Sequence, residues 1–214
     1  MSLYTILVFV HVTSAIGLSA GNLISLFGLF AMRRALRVEQ VRAILGLLTL
    51  SEPVSAIALV LTPAAGVTMT ITTWGWRNGW ITVALGSFVL LLSMGVITGL
   101  RRGAIAKLVN EMPDGPLPAS VEQRIHDPLL GTAVYMLVAL LLGIVFLMTT
   151  KPALDGALIA IAVSVVLGAA ASLPLWRGRI GEEAGSGDKL TDEVWKVHRE
   201  NDQIHSEDPL EQKS

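Results

Sequence analysis

The feature that most constrains this 214-residue chain is a succession of five apolar runs, near residues 3–32, 44–71, 80–100, 128–149 and 156–176. Each reaches the ~20 residues that an α-helix needs to cross a hydrocarbon core of ~30 Å. In hydrocarbon every backbone polar group must find its partner inside the segment, so runs of this length are expected to be helices. The fold class expected is therefore all-α: a polytopic bundle of five transmembrane spans over residues 1–176. A polar tail follows over 177–214.

Composition agrees with that reading. Charged residues make up 15% of the chain against 52% hydrophobic, whereas a soluble domain carries about 25% charged residues. There is no cysteine, which excludes disulfides, thiolate metal sites, iron–sulfur clusters and cysteine nucleophiles. Met1 to Val10 holds no Lys or Arg and the first apolar run passes thirty residues. It is too long for a signal-peptide core and is expected to stay in the mature protein.

Basic residues orient the bundle. Arg33, Arg34, Arg37 and Arg42 flank the first connection, and Arg101, Arg102, Lys107 and Arg124 lie between the third and fourth spans. Arg177 and Arg179 open the tail. The other side carries only Arg77 and Lys151. The positive-inside rule then predicts an outside N-terminus and a cytoplasmic C-terminus, in a bacterial inner membrane. Trp74, Trp76 and Trp80 cluster where an outer aromatic belt belongs, and Trp176 suits the inner interface. Asp127-Pro128 has the form of an N-cap followed by proline at the first helical position, and Lys151-Pro152 ends that span.

Polar residues inside the spans are the candidates for function. On the first span Ser14, Gly21, Asn22, Ser25 and Gly28 share one helical face with His11. Gly17, Gly21 and Ser25 form a small-residue ladder that admits a close neighbour. On the second span Glu52 shares a face with Ser55, Leu59, Thr62 and Gly66, so its carboxyl group is expected to face the bundle. Counted from Arg42 and Arg33 at 1.5 Å per residue, Glu52 and Asn22 lie ~15–16 Å deep, and the same arithmetic puts Ser25 and Ser93 at ~12 Å and Tyr135, counted from Pro128, at ~10 Å. These five residues are expected to form a hydrogen-bonded cluster around an intramembrane carboxyl group. Such a group either serves proton exchange or cation binding, or fixes helix register.

His11 is expected ~18 Å from Glu52, near the outer interface. It reads either as a packing residue or as a single ligand for haem or copper. The second ligand would come from a dimer or from a methionine such as Met69. In the tail, Thr191 is expected to cap a short helix through about Ile204, with His198, Asp202 and His205 at i, i+4 and i+7.

The opening Leu-Tyr-Thr-Ile-Leu-Val-Phe-Val-His11, the segment Gly79-Trp80-Ile-Thr-Val-Ala followed by Arg101-Arg102, and Phe146-Leu-Met-Thr-Thr-Lys151-Pro152 together carry a likeness. They resemble a bacterial family of predicted integral membrane proteins without assigned function, distantly similar to copper resistance D-type membrane domains. The likeness spans most of residues 1–176. Members follow the span-one histidine with a Trp-x-Gly-Gly-like motif, whereas this chain reads Leu18-Ser19-Ala20-Gly21. The resemblance implies a role for His11 alone among its functional positions.

Three functions fit these residues. One is proton or cation binding or transport centred on Glu52. Another is a haem- or copper-linked redox module using His11. The third is a structural subunit whose small-residue faces, including Gly95, Gly99 and Gly103, pack on a second copy or on a membrane partner. No nucleophile–base pair, phosphate loop or HExxH motif is present, which weighs against a conventional hydrolase or kinase. The charge distribution, basic in the membrane part and acidic in the tail, lacks a nucleic-acid-binding profile.

Overall fold

The computed structural model describes residues 2–176 and Trp195. The tail helix and the His198, Asp202 and His205 triplet expected from the sequence lie outside the described residues. Among the described residues the chain is helical throughout, and five helices are long and apolar enough to cross a membrane.

Helix α1 spans Leu3–Arg33, with the Ser2 hydroxyl accepting from the Thr5 amide at its start. It stops where arginines replace the apolar run. A connection of only four residues, 34–37, leads into α2 (Val38–Met69). Pro53 and Pro63 lie inside α2, each removing one amide donor from the helical ladder. The helix nevertheless continues in one piece, and hydroxyls cover nearby carbonyls: Ser55 donates to Ser51 and Thr62 to Ala58. α2 then widens into a single π turn, Thr70–Trp74. That turn closes when the amide of Gly75, at φ 70°, donates to the Thr70 carbonyl at 2.7 Å.

Helix α3 runs from Gly79 to Asn110, ten residues past the end expected from hydropathy. Beyond Arg101-Arg102 the sequence stops being apolar all round but keeps Ile105 and Val109 on one face. Both are buried, and that amphipathic pattern carries the helix past the apolar segment. The loop expected over 101–127 thus shrinks to 111–118, because a short α4, Ala119–Ile125, follows. Val121 and Ile125 of α4 are fully buried while Glu122, Gln123 and Arg124 stay exposed.

Helix α5 (Pro128–Thr150) starts on Asp127, whose carboxylate accepts from the Leu129 amide and pairs with Arg101. It ends on Lys151, in the left-handed region at φ 45°, with its amide donating to Leu147. α6 covers Leu154–Trp176.

The chain forms one compact unit as far as Leu173. Within it α1 packs most extensively on α2, α3 packs on α5, and α1 and α5 meet between these pairs. The α1–α2 contact is close because it uses the small-residue ladder. A Cβ on Gly17 would touch that of Ala58, one on Gly21 would collide with the Ser55 side chain, and one on Gly28 would come within 2.7 Å of Leu48. On α3, by contrast, a Cβ on Gly95, Gly99 or Gly103 would meet nothing within 4 Å. Among the described residues no helix covers that second ladder.

The arginine-rich end is closed by a clasp. The Val38 amide donates to Gly115 at 3.0 Å and the Leu117 amide to Leu36 at 2.9 Å, which joins the two basic connections through an isolated bridge between Arg37 and Pro116. Arg42 reaches across to the carbonyls of Val109 and Met112 and to the Asp114 carboxylate. Under this clasp lies the largest buried cluster, which includes Leu29, Met32, Val41, Ile105, Val109 and Ile125.

Candidate functional site

The five polar residues that sequence depth places at one level do not converge on a single carboxyl group. The buried stripe of α2 runs through Leu45, Leu48, Ala58, Ala65 and Met69. Glu52 flanks this stripe and is exposed rather than turned into the bundle. Its neighbours Leu50, Val54 and Ile57 are exposed apolar residues. Ser93 is also exposed, and its hydroxyl is occupied one turn back by the Val89 carbonyl. Tyr135 packs edge-on against Phe30, with ring centroids 6.3 Å apart, and lies within electrostatic reach of Arg33. Of the five, Ser25 and Glu52 lie near one group on α3, with Asn22 one turn from Ser25, while Ser93 and Tyr135 make other contacts.

That group is Arg102, which no motif in the sequence marks as a site residue. Its guanidinium Nη1 donates to Ser25 Oγ at 3.4 Å, a long hydrogen bond, and the same group lies within electrostatic range of Glu52. The Ser25 hydroxyl in turn donates to Gly21. Asn22, one turn away on α1, holds a buried amide nitrogen without a hydrogen-bond partner, and Arg102 Nε is likewise buried and unpartnered. Arg102 and Glu52 do not form one of the three direct ion pairs among the described residues. A cation and a carboxylate thus lie near each other, with a serine hydroxyl and a buried amide on the adjoining helix. The signal that could have revealed Arg102 is the Ile105 and Val109 spacing. It extends the helix past Arg102 and turns a loop residue into a helical one whose long stem can reach back along the bundle.

His11 belongs to a separate polar contact towards the other end of α1 and α2. Its Nδ1 lies 2.8 Å from the Thr62 carbonyl oxygen. A carbonyl can only accept, so Nδ1 carries the proton of this bond. The Thr62 hydroxyl bonds to Ser14 Oγ at 3.0 Å, and Ser14 donates to the carbonyls of Val10 and His11. Gly66 gives the imidazole its space, since a Cβ there would come within 3.1 Å of the ring. Among the described residues no group of three or more His, Cys, Asp or Glu could hold a metal. With Nδ1 committed to a backbone carbonyl, Nε2 is the ring nitrogen left to face a ligand, as it is in histidines whose Nδ1–H is held in this way. Met69, the thioether alternative to a second histidine, is buried and lines the same cavity as His11.

Comparison with protein-family models, with curated proteins and with solved structures yields no match.

Proposed function

We propose that this multi-pass membrane protein lies in the bacterial cytoplasmic membrane with its N-terminus outside and its C-terminus inside, and that Glu52 exchanges a proton there. The observation that carries the reading is the neighbourhood of Arg102, Glu52 and Ser25. An ionisable group at membrane depth is costly and marks a pathway for ions or protons by default. A guanidinium within electrostatic range of the carboxylate opposes the approach of a metal cation, because a like charge already occupies the neighbourhood. Gain and loss of a proton face no such competition for space. They switch Glu52 between a charge balanced by Arg102 and a neutral acid among the exposed apolar residues of α2.

The test is proton flux in proteoliposomes loaded with a pH-sensitive dye and driven by an imposed potassium diffusion potential. Wild-type protein is expected to dissipate the gradient faster than protein-free vesicles, and Glu52→Gln to lose that flux. A Glu52→Gln variant as fast as the wild type, or a wild type no faster than empty vesicles, rules the reading out. Orientation is checked by fusing the C-terminus to a reporter that is active only in the cytoplasm.

A second reading, in which α3 packs on a second copy or a partner helix, is favoured by the uncovered faces of Gly95, Gly99 and Gly103. The chain has no cysteine, so Gly99→Cys supplies a clean crosslinking probe. Oxidised dimers in membranes support this reading, and monomers at all protein densities count against a second copy.

A further inference from the structure

At the tryptophan end, α1, α2, α3 and α5 surround a cavity of about 570 Å³, within the ~300–1,000 Å³ range of ligand sites. Its wall is almost wholly apolar, and most of its hydroxyl groups are already engaged within the protein. The hydroxyls of Ser19, Thr62, Thr70 and Thr149 all donate to carbonyls of their own helices, and His11 Nδ1 is held by Thr62. A water-soluble ligand would find few free donors here, and desolvating its polar groups would go uncompensated. A hydrocarbon chain would lose nothing on entry.

The cavity is also open sideways. Val12, Ile16 and Val145 line it yet are 50%, 64% and 43% exposed, so the gap between α1 and α5 faces the surrounding lipid. Lys151, at the end of α5, is the one charged residue lining the cavity. Its left-handed backbone at the end of α5 and the Trp74 ring hold it there, with Nζ 4.4 Å from the ring centroid. Among the described residues Lys151 has no carboxylate partner.

We infer that this cavity binds a membrane amphiphile with a hydrocarbon chain and an anionic headgroup, the chain entering between α1 and α5 and the headgroup resting on Lys151. The inference is independent of proton exchange at Glu52. It rests on an apolar wall whose hydroxyls are largely engaged, a lateral opening and a single cation among the lining residues.

Tryptophan quenching tests it directly, because Trp74 and Trp80 line this cavity and no tryptophan lines a second cavity, between α5 and α6. Full-length protein carrying Trp76→Phe, Trp176→Phe and Trp195→Phe, in a neutral detergent, is titrated with a dibrominated stearic acid and with its uncharged methyl ester. Saturable quenching by the acid is expected. Lys151→Asn removes the charge while keeping a residue tolerated in the left-handed region, and is expected to weaken acid binding about fivefold and leave the ester unchanged. Ala15→Phe, which narrows the cavity, is expected to abolish both. Circular dichroism and gel filtration show that each variant is folded, and Lys151→Asn keeps the test open if Ala15→Phe is not. Quenching that rises linearly and equally in all three proteins, or acid binding unaltered by Lys151→Asn, overturns the inference.

Discussion

At the arginine-rich end, twelve buried side chains from α1 to α5 close on one another beneath the clasp of the two basic connections. At the tryptophan end, four of the same helices diverge around a cavity of about 570 Å³. The solvent on each side accounts for the contrast. Val121, Ile125, Ile105 and Val109 lie on segments that continue past the apolar spans, where removing apolar surface from water stabilises packing. Between spans no such drive exists, because lipid chains are as apolar as leucine, and close packing of small residues takes its place. The largest buried cluster therefore lies at the basic end, while the opposite end combines a smaller cluster around Trp80 with a cavity.

The sharpest way to break this comparison is to truncate one side chain at each end. Ile125→Ala, in the packed cluster, is expected to cost about 2–5 kcal/mol. Ile144→Ala, on the cavity wall, should cost clearly less, because the lost atoms enlarge a space that already exists. Chemical denaturation in detergent measures both, and equal losses would erase the difference between the ends. Next in size is the α1–α2 contact. Gly21→Leu forces Ser55 and the α2 backbone away and is expected to cost about 1–3 kcal/mol, whereas Gly95→Leu on the uncovered ladder should stay within about 0.5 kcal/mol. Thermal unfolding of the two variants side by side decides it.

Smaller effects sharpen the picture. Arg42→Ala releases the carbonyls of Val109 and Met112. It is expected to cost about 0.5–1.5 kcal/mol and to speed proteolysis within residues 111–118, with no change at the 75–78 connection. His11→Ala removes one interhelical hydrogen bond and is expected to cost about 0.6 kcal/mol, the average measured for such bonds in a membrane protein. A loss of several kcal/mol, seen in the same thermal assay, would make His11 a central structural residue rather than part of a cavity wall.

Much of the architecture is legible in the residues, for local reasons. The caps at Asp127 and Lys151 act over a few positions, and the spans follow from run length. The α1 ladder was visible as spacing, though not its partner in α2. The candidate site was legible only in part. Helical periodicity put Glu52 on a polar face, yet the buried stripe of α2 passes beside it and leaves it exposed. α2 and α3 are apolar nearly all round, so periodicity alone does not set their rotation about their own axes. The end of α3 was misplaced because hydropathy fades at Arg101 while the amphipathic pattern continues to Val109.

By itself the sequence determined an all-helical chain with five membrane-length segments and the places where most of them start and stop. Each of these depends on residues within one or two turns of one another and on the need to satisfy backbone groups inside hydrocarbon. Only the tertiary structure decided that Arg102 reaches Ser25 across 77 positions and His11 reaches Thr62 across 51, and that the helices part around a cavity. These depend on how each helix is rotated and which neighbour it meets, and a lipid-soluble surface specifies that weakly, because lipid and protein offer an apolar side chain nearly the same environment.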